Sequence, residues 1–312
     1  MFDDCVIMAG GAGTRLWPAS SSRLPKQFLP ASDGMSFFSA SVRRALALTG
    51  DNGRVIIITG KPHVPHVIRD AATLSAREKK RLLIIAEPCA KNTAPAVACA
   101  VIYSLLGGTD RSMLILTSDH IIGPPEVFRA NAALAASCAK EGKLAVFGIP
   151  PTRAETGYGY IETGKERSSG VYNVASFHEK PDAPAARKYA ASKRFFWNSG
   201  MFAFCTGFMA DEFRRLAPDV IQPFEKLKSP KTYTASRGLK ILDVWPGLEN
   251  AYRKTKSISF DYAIAEKSPQ CVMVRACFDW LDVGNWEEYA KLCGANGQET
   301  YSAASESCYV DS

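Results

Sequence analysis

Apolar residues in this chain gather in short unbroken runs, and between the runs lie longer stretches in which they recur every three or four positions. The runs fall at 5–9, 55–59, 82–86 and 113–116. Runs of this length without polar alternation are what strands look like when helices cover both faces of their sheet. The stretches between them predict a helix over 36–48, closed by the turn residues Gly50, Asp51, Asn52 and Gly53, and another over 67–80. A third is predicted from the cap candidates Asn92 and Thr93, with Pro95 in its first turn, to 106, where Gly107 and Gly108 stop it. Strands alternating with helices imply βαβ crossovers, an α/β fold and a mostly parallel sheet. Ligands in such sheets bind beyond the carboxyl ends of the strands, so the loops after Ala9, Ala86 and Leu116 should share one rim.

From 144 onward the rhythm is less regular. Strands are predicted at 144–148, 174–178 and 272–276, with a hairpin-like Gly/Tyr piece at 157–162 and an apolar segment at 197–205. A short Ala-rich helix is predicted at 183–193, and Pro-punctuated helices over 211–228. No repeat or low-complexity tract interrupts the pattern. Residues 294–298 read as a linker, and 302–312 carry few apolar residues. The expected organisation is one large unit over 1–290, followed by a linker and short tail over 291–312.

A chain of 312 residues can bury a sizeable core without staples. Its 46% hydrophobic and 22% charged content is that of an ordinary globular protein. No run approaches the roughly 18 apolar residues of a membrane span. The acidic start, Met1-Phe2-Asp3-Asp4, is unlike a secretory leader, so a cytoplasmic location away from membranes is expected. Nine cysteines without a CxxC pair point to reduced thiols rather than to zinc or disulfides. His63 and His66 form an HxxH, but Pro62 and Pro65 argue against both rings reaching one metal. The net charge of +7 is scattered, with one cluster at Lys79-Lys80-Arg81. That speaks against nucleic acid and suits phosphorylated small molecules.

The loop after the first strand carries the first candidate chemistry. Gly10, Gly11 and Gly13 allow close backbone approach and N–H groups turned toward an anion, and the cations Arg15 and Lys26 follow. A nucleoside triphosphate is the natural ligand. A P-loop would place Lys-Ser or Lys-Thr after the last glycine, where this chain has Thr14-Arg15; a dinucleotide fold would open a helix where Leu16, Trp17 and Pro18 stand. On the glycines alone, a tight turn without a ligand stays open. Asp119 closes the run at 113–116, as a Mg²⁺ anchor or as a turn cap. Asp282 precedes Gly284 and on its own reads equally as a turn residue.

The whole stretch from Gly10 to Pro30, GGAGTRLWPxSxxxxPKQFLP, resembles the signature of the sugar-1-phosphate nucleotidyltransferases. Trp17-Pro18 and Lys26-Gln27-Phe28 are similar to the mannose-1-phosphate guanylyltransferase branch. Six motifs in the family's order, from Val6 to Trp286, carry the resemblance. It implies a Rossmann-like, mixed but mostly parallel sheet flanked by helices, the GT-A-like nucleotidyltransferase fold. It implies transfer of GMP from GTP to mannose 1-phosphate, giving GDP-mannose and pyrophosphate. Gly10, Gly11 and Gly13 with Ala9, Thr14 and Arg15 would hold the triphosphate, Lys26 would stabilise charge at the α-phosphorus, and Asp119 and Asp282 would carry Mg²⁺. Thr117-Ser118 replaces the usual Pro-Ala before Asp119, and Asn285 replaces a more usual Ser.

Glu87 is the candidate acceptor for the N1–H and N2–H₂ donors of guanine, with Asn92 as base contact, helix cap or both. Gly159, Glu179, Lys180 and Asn198 resemble the sugar-phosphate side, with Asp261 as a further sugar contact. Read without the family, Glu179-Lys180 is a solvated ion pair and Asn198 a turn residue. Another hexose phosphate or base, and a catalytically silent nucleotide-sugar sensor, stay open as alternatives, as does a homodimer. Isomerase activity is not expected, since the chain stops before such a domain.

Overall fold

The computed structural model describes residues 1–11, 16–17, 19–21, 23–31 and 34–292. The strands are β1 (Phe2–Met8), β2 (Thr49–Gly60), β3 (Leu82–Glu87), β4 (Ser112–Thr117), β5 (His120–Gly123), β6 (Leu144–Ile149), β7 (Tyr160–Ser168), β8 (Val171–His178), β9 (Phe195–Cys205), β10 (Thr234–Ser236), β11 (Leu239–Leu242), β12 (Cys271–Arg275) and β13 (Asp279–Asp282). The α-helices are α1 (Phe37–Leu48), α2 (Val64–Asp70), α3 (Ala76–Lys80), α4 (Thr93–Leu105), α5 (Pro125–Lys140), α6 (Ala183–Ala191), α7 (Thr206–Leu216), α8 (Pro218–Glu225), α9 (Leu248–Lys254) and α10 (Trp286–Leu292).

Eleven strands form one sheet in the order β10-β11-β3-β2-β1-β4-β9-β6-β12-β8-β7. β1 runs parallel to β2 and β4, and β3 extends the parallel half. β9 enters antiparallel between β4 and β6, which makes the sheet mixed. Helices cover both faces, so successive residues of one strand enter different cores. Val6, Ile56, Ile58, Met113 and Ile115 share a buried cluster with residues of α4, α7 and α8. Cys5, Ile7, Val55, Ile57, Leu114 and Leu116 share the other with residues of α1 and α5. This double burial is why the strands read as unbroken apolar runs.

Three expectations are corrected in detail. The helix expected over 67–80 is two helices and a 3-10 turn, Ala71–Thr73. Ser75 accepts from the Glu78 amide while the Glu78 carboxylate accepts from the Ser75 amide, a capping box that starts α3 afresh. The Gly50–Gly53 turn lies inside β2, whose register on β1 jumps from Phe2↔Thr49 to Asp4↔Arg54. A Cβ on Gly53 would come within 2.7 Å of Thr49 Cβ, so the excursion needs glycine there. The hairpin expected at 157–162 is the longer β7–β8 pair, and residues 157–159 lead into it.

Two smaller arrangements set up the rim. β13 pairs antiparallel with β5, Asp282 opposite His120. Leu16, Leu29, Phe37, Val283 and Tyr289 form a separate buried cluster. It packs the segment after the glycine turn against the start of α10. Asn285 Oδ1 accepts from the Glu288 amide at 2.9 Å. Asn285 therefore does the N-capping work of a Ser at that place.

Candidate functional site

Lys26, Asp119 and Asp282 meet at one point. The Lys26 ammonium lies 2.9 Å from Asp119 Oδ2 and 2.8 Å from Asp282 Oδ1. Asp119 follows β4 at its carboxyl end, and the β5–β13 pairing carries Asp282 to its side. Lys26 opens a 3-10 turn after Pro25 and is 2% exposed, against 26% for Asp119 and 15% for Asp282. Burial alone would pull the Lys26 pKa down; the two carboxylates outweigh it and hold the ammonium protonated. Among the described residues, no group of three or more His, Cys, Asp or Glu side chains is arranged to hold a metal. Two neighbouring carboxylates, with Asp119 in a cavity wall, nevertheless suit Mg²⁺, which takes one or two protein carboxylates and fills its sphere with phosphate oxygens and water.

The cavity beside this trio has a volume of about 510 Å³ and is lined by Gly10, Gly11, Lys26, Glu87, Asn92 and Asp119, among others. A larger groove of about 760 Å³ beside α8 and α9 carries none of the motif residues. Ala9 is buried beneath the turn, and its carbonyl accepts from Thr59 Oγ1 at 2.8 Å. Gln27 Nε2 donates to the carbonyls of Ala9 at 3.2 Å and Gly11 at 3.0 Å, which fixes how the turn leaves β1. Gly13, Thr14 and Arg15 lie outside the described residues.

Glu87 ends β3 under the turn, where a Cβ on Gly10 would sit 2.9 Å from Glu87 Oε2. Burial raises its pKa to about 7, although Tyr252 donates to Oε1 at 3.0 Å and pulls the other way. Asn92, at φ +68°, caps α4 by accepting from the Thr93 amide at 2.8 Å. The cap reading of Asn92 thus holds, and it brings the amino end of α4 to the cavity wall.

A second cluster stands on the other half of the sheet. Asn198 donates from its backbone to the Gly159 carbonyl at 2.8 Å and from Nδ2 to Asp261 Oδ1 at 2.7 Å. Its Oδ1 accepts from the Gly200 amide at 3.0 Å. Glu179 is 7% exposed and pairs through Oε1 with the 59% exposed Lys180 at 2.9 Å, while its buried Oε2 has no partner. A Cβ on Gly159 would lie 2.5 Å from that oxygen. Asp261 is driven up to about 6, first by burial and then by Glu179. The four expected residues of this side therefore do converge. Phe260 donates to Thr93 Oγ1 at 2.8 Å, which ties the cluster to the cavity wall.

Sequence reasoning passed over three positions that shape the site. Gln27 and Tyr252 act through backbone carbonyls and a buried carboxyl, and neither partner is visible in a linear pattern. Trp280 donates to His120 Nδ1 at 3.1 Å and packs edge-on against Tyr158, next to the strand pair that carries Asp282. His63 and His66 instead flank Phe28, at ring distances of 6.3 and 5.0 Å.

The family model described as nucleotidyl transferase matches residues 4–296. The chain belongs to the nucleotidyl transferase family. Members of that family generally use a divalent metal. Among similar proteins, the xanthan biosynthesis protein XanB of Xanthomonas campestris pv. campestris (strain B100) is 36% identical over 293 residues, 94% of this chain and 60% of its own length. The mannose-1-phosphate guanylyltransferase of Salmonella muenchen is 38% identical over 283 residues, 90% of this chain and 57% of its own. This chain thus spans about 60% of the length of these curated relatives. The crystal structure of mannose-1-phosphate geranyltransferase from Thermus thermophilus superposes with a TM-score of 0.79 at 32% identity, covering 94% of this chain and 80% of that one. The α/β nucleotidyltransferase fold expected from the sequence is the fold observed.

Proposed function

We propose that this chain transfers GMP from GTP to mannose 1-phosphate, releasing pyrophosphate and leaving GDP-mannose. The observation that carries the reading is the meeting of Lys26, Asp119 and Asp282 beside a cavity walled by a glycine turn and a helix amino end. A phosphate oxygen of the sugar phosphate attacks the α-phosphorus in line; that P–O bond forms as the α–β bridge breaks, and the electron pair leaves with pyrophosphate. No covalent enzyme intermediate is needed. The protein's task is to bring two polyanions together and hold them aligned.

In this reading Gly10 and Gly11, completed by Gly13, Thr14 and Arg15, cradle the triphosphate above Ala9, and the amino end of α4 faces its charge. Glu87 and Asn92 meet the guanine. Glu179, with its unpartnered Oε2, and Asn198 take sugar hydroxyls, Gly159 lets the ring approach, and Lys180 takes the sugar's phosphate. Asp119 and Asp282 would hold Mg²⁺, which when bound neutralises charge on the phosphate oxygens. Lys26 supports the charge that grows at the α-phosphorus. The catalytic unit is residues 1–290, with 291–312 as an extension. The seven free cysteines among the described residues suit the reducing cytoplasm.

Pyrophosphate release, measured over a panel of nucleoside triphosphates and hexose 1-phosphates with and without EDTA, tests this. GTP with mannose 1-phosphate and Mg²⁺ should be the preferred set. Equal rates with another base or hexose overturn the specificity, and activity unchanged by EDTA overturns the metal. GDP-mannose binding without turnover makes the chain a sensor instead.

A further inference from the structure

The cation between Asp119 and Asp282 is Lys26 itself. Its ammonium bonds one oxygen of each carboxylate, at 2.9 and 2.8 Å, from a buried turn that the neighbouring side chains hold in place. Gln27 is tied to the Ala9 and Gly11 carbonyls, and Phe28 packs on Phe38 and His66. Asp282 is anchored by its pairing with His120 across β5 and β13, and Asp119 is the residue next to His120, between β4 and β5. Two carboxylates this close repel unless a cation lies between them, and here one is built in. A divalent ion shared by the same two groups must contend with a positive charge already seated there.

We propose that Lys26 is a resident counter-ion: it keeps Asp119 and Asp282 converged, and yields them to a divalent cation only when a nucleotide phosphate is present to receive the ammonium. The proposal rests on the reading above in taking the two aspartates as metal ligands and a triphosphate as the neighbouring anion. It turns one lysine into the link between metal and nucleotide binding. A divalent ion alone meets an unrelieved like charge and binds weakly. With a triphosphate in the cavity the ammonium gains phosphate oxygens in exchange for carboxylate oxygens. Each ligand then strengthens the other by the same factor.

The test is equilibrium binding of Mn²⁺ alone, followed by its electron paramagnetic resonance signal, with no turnover involved. Lys26→Met removes the charge at similar volume and should bind Mn²⁺ at least about tenfold more tightly than the unaltered chain. Asp282→Asn should abolish the gain. Lys26→Gln replaces Lys26→Met if near-ultraviolet circular dichroism shows the methionine variant misfolded. Mn²⁺ binding in the folded variant that is equal to or weaker than in the unaltered chain overturns the exchange. Because GTP and the sugar phosphate are absent, failure of the proposed substrate assignment leaves this outcome untouched. Mn²⁺ binding that persists with both aspartates replaced by asparagine overturns the metal-ligand reading itself.

Discussion

The hydroxyl of Tyr252 donates to Glu87 Oε1 across 3.0 Å, in the interior beneath the glycine turn. Burial raises the Glu87 carboxyl from its ordinary 4.5 to about 7, and the tyrosine offsets only part of that rise. The folded chain therefore keeps a proton that the unfolded chain has lost between these two values. Stability from that proton is fully present below the unfolded pKa and is lost as pH rises through the folded one. Glu87→Gln keeps the acceptor for Tyr252 and never ionises. Unfolding free energies taken from about pH 5 to 8 should fall in the unaltered chain, with Glu87 accounting for an amount on the order of 3 kcal/mol. The variant should lose that part and keep only the shallower fall that Asp261, driven up to about 6, still contributes. A variant that falls as steeply as the parent shows that Glu87 does not titrate there.

Gln27 supports the turn from below. Its two hydrogen bonds, at 3.2 and 3.0 Å, go to the carbonyls of Ala9 and Gly11 from a side chain that is 3% exposed. Gln27→Leu leaves the Gly11 carbonyl short of a partner, while Ala9 keeps Thr59. The expected loss is ~1–3 kcal/mol of stability. In the proposed reading the turn belongs to the nucleotide side, so KM for GTP should rise severalfold with KM for mannose 1-phosphate little changed. Equal effects on both would mean that Gln27 supports the whole rim.

The parts of this architecture that a linear reading reaches are those whose cause is local. Cys5, Ile7, Ile57 and Leu114 are buried on a covered face, so their strands announce themselves as apolar runs. Asn92 is a cap because its own side chain bonds the next amide, and Asp119 stands at a strand end that the rim rule singles out. Asp282 is different. It comes to Asp119 because β13 pairs with β5, a register of two short strands far apart in the sequence, and only the family resemblance pointed to it. The β10 strand, largely exposed at Thr234 and Ala235, carries no apolar pattern to read. The capping box of Ser75 and Glu78 divides a stretch whose composition favours one helix.

Gly159 tests the second cluster. A methyl group there would lie 2.5 Å from Glu179 Oε2 and 3.2 Å from Phe177 Cε1, so Glu179 must move. Its Oε1 is held by Lys180, and the displacement falls on the oxygen assigned to a sugar hydroxyl. Gly159→Ala should raise KM for mannose 1-phosphate by tenfold to about a hundredfold, the scale of an ångström-sized misplacement, with KM for GTP nearly unchanged. A variant with normal sugar-phosphate kinetics removes Glu179 from that role.

Asp4 separates folding from chemistry, because it lies near the amino end of β1, away from the rim that follows its carboxyl end. It is fully buried and accepts from Arg54 at 2.8 and 2.6 Å, from Arg111 at 3.0 Å and from Ser104 at 2.7 Å. Burial alone would raise its pKa, but these donors outweigh it and hold the carboxyl below its ordinary 3.8. A depressed carboxyl contributes stability that is present above the unfolded pKa and lost only as pH falls through the folded one. Asp4→Asn removes that charge and leaves two guanidiniums without their carboxylate. We expect a loss of ~3 kcal/mol, the low end for a broken buried pair, since both arginines keep some contact with water. The loss should be the same at pH 5 and pH 8, unlike the slope assigned to Glu87, and kcat per folded molecule should not change. Urea titrations at both pH values, with activity normalised to folded protein, check the two statements together. A loss of kcat in the folded variant would show that this end of the sheet communicates with the rim.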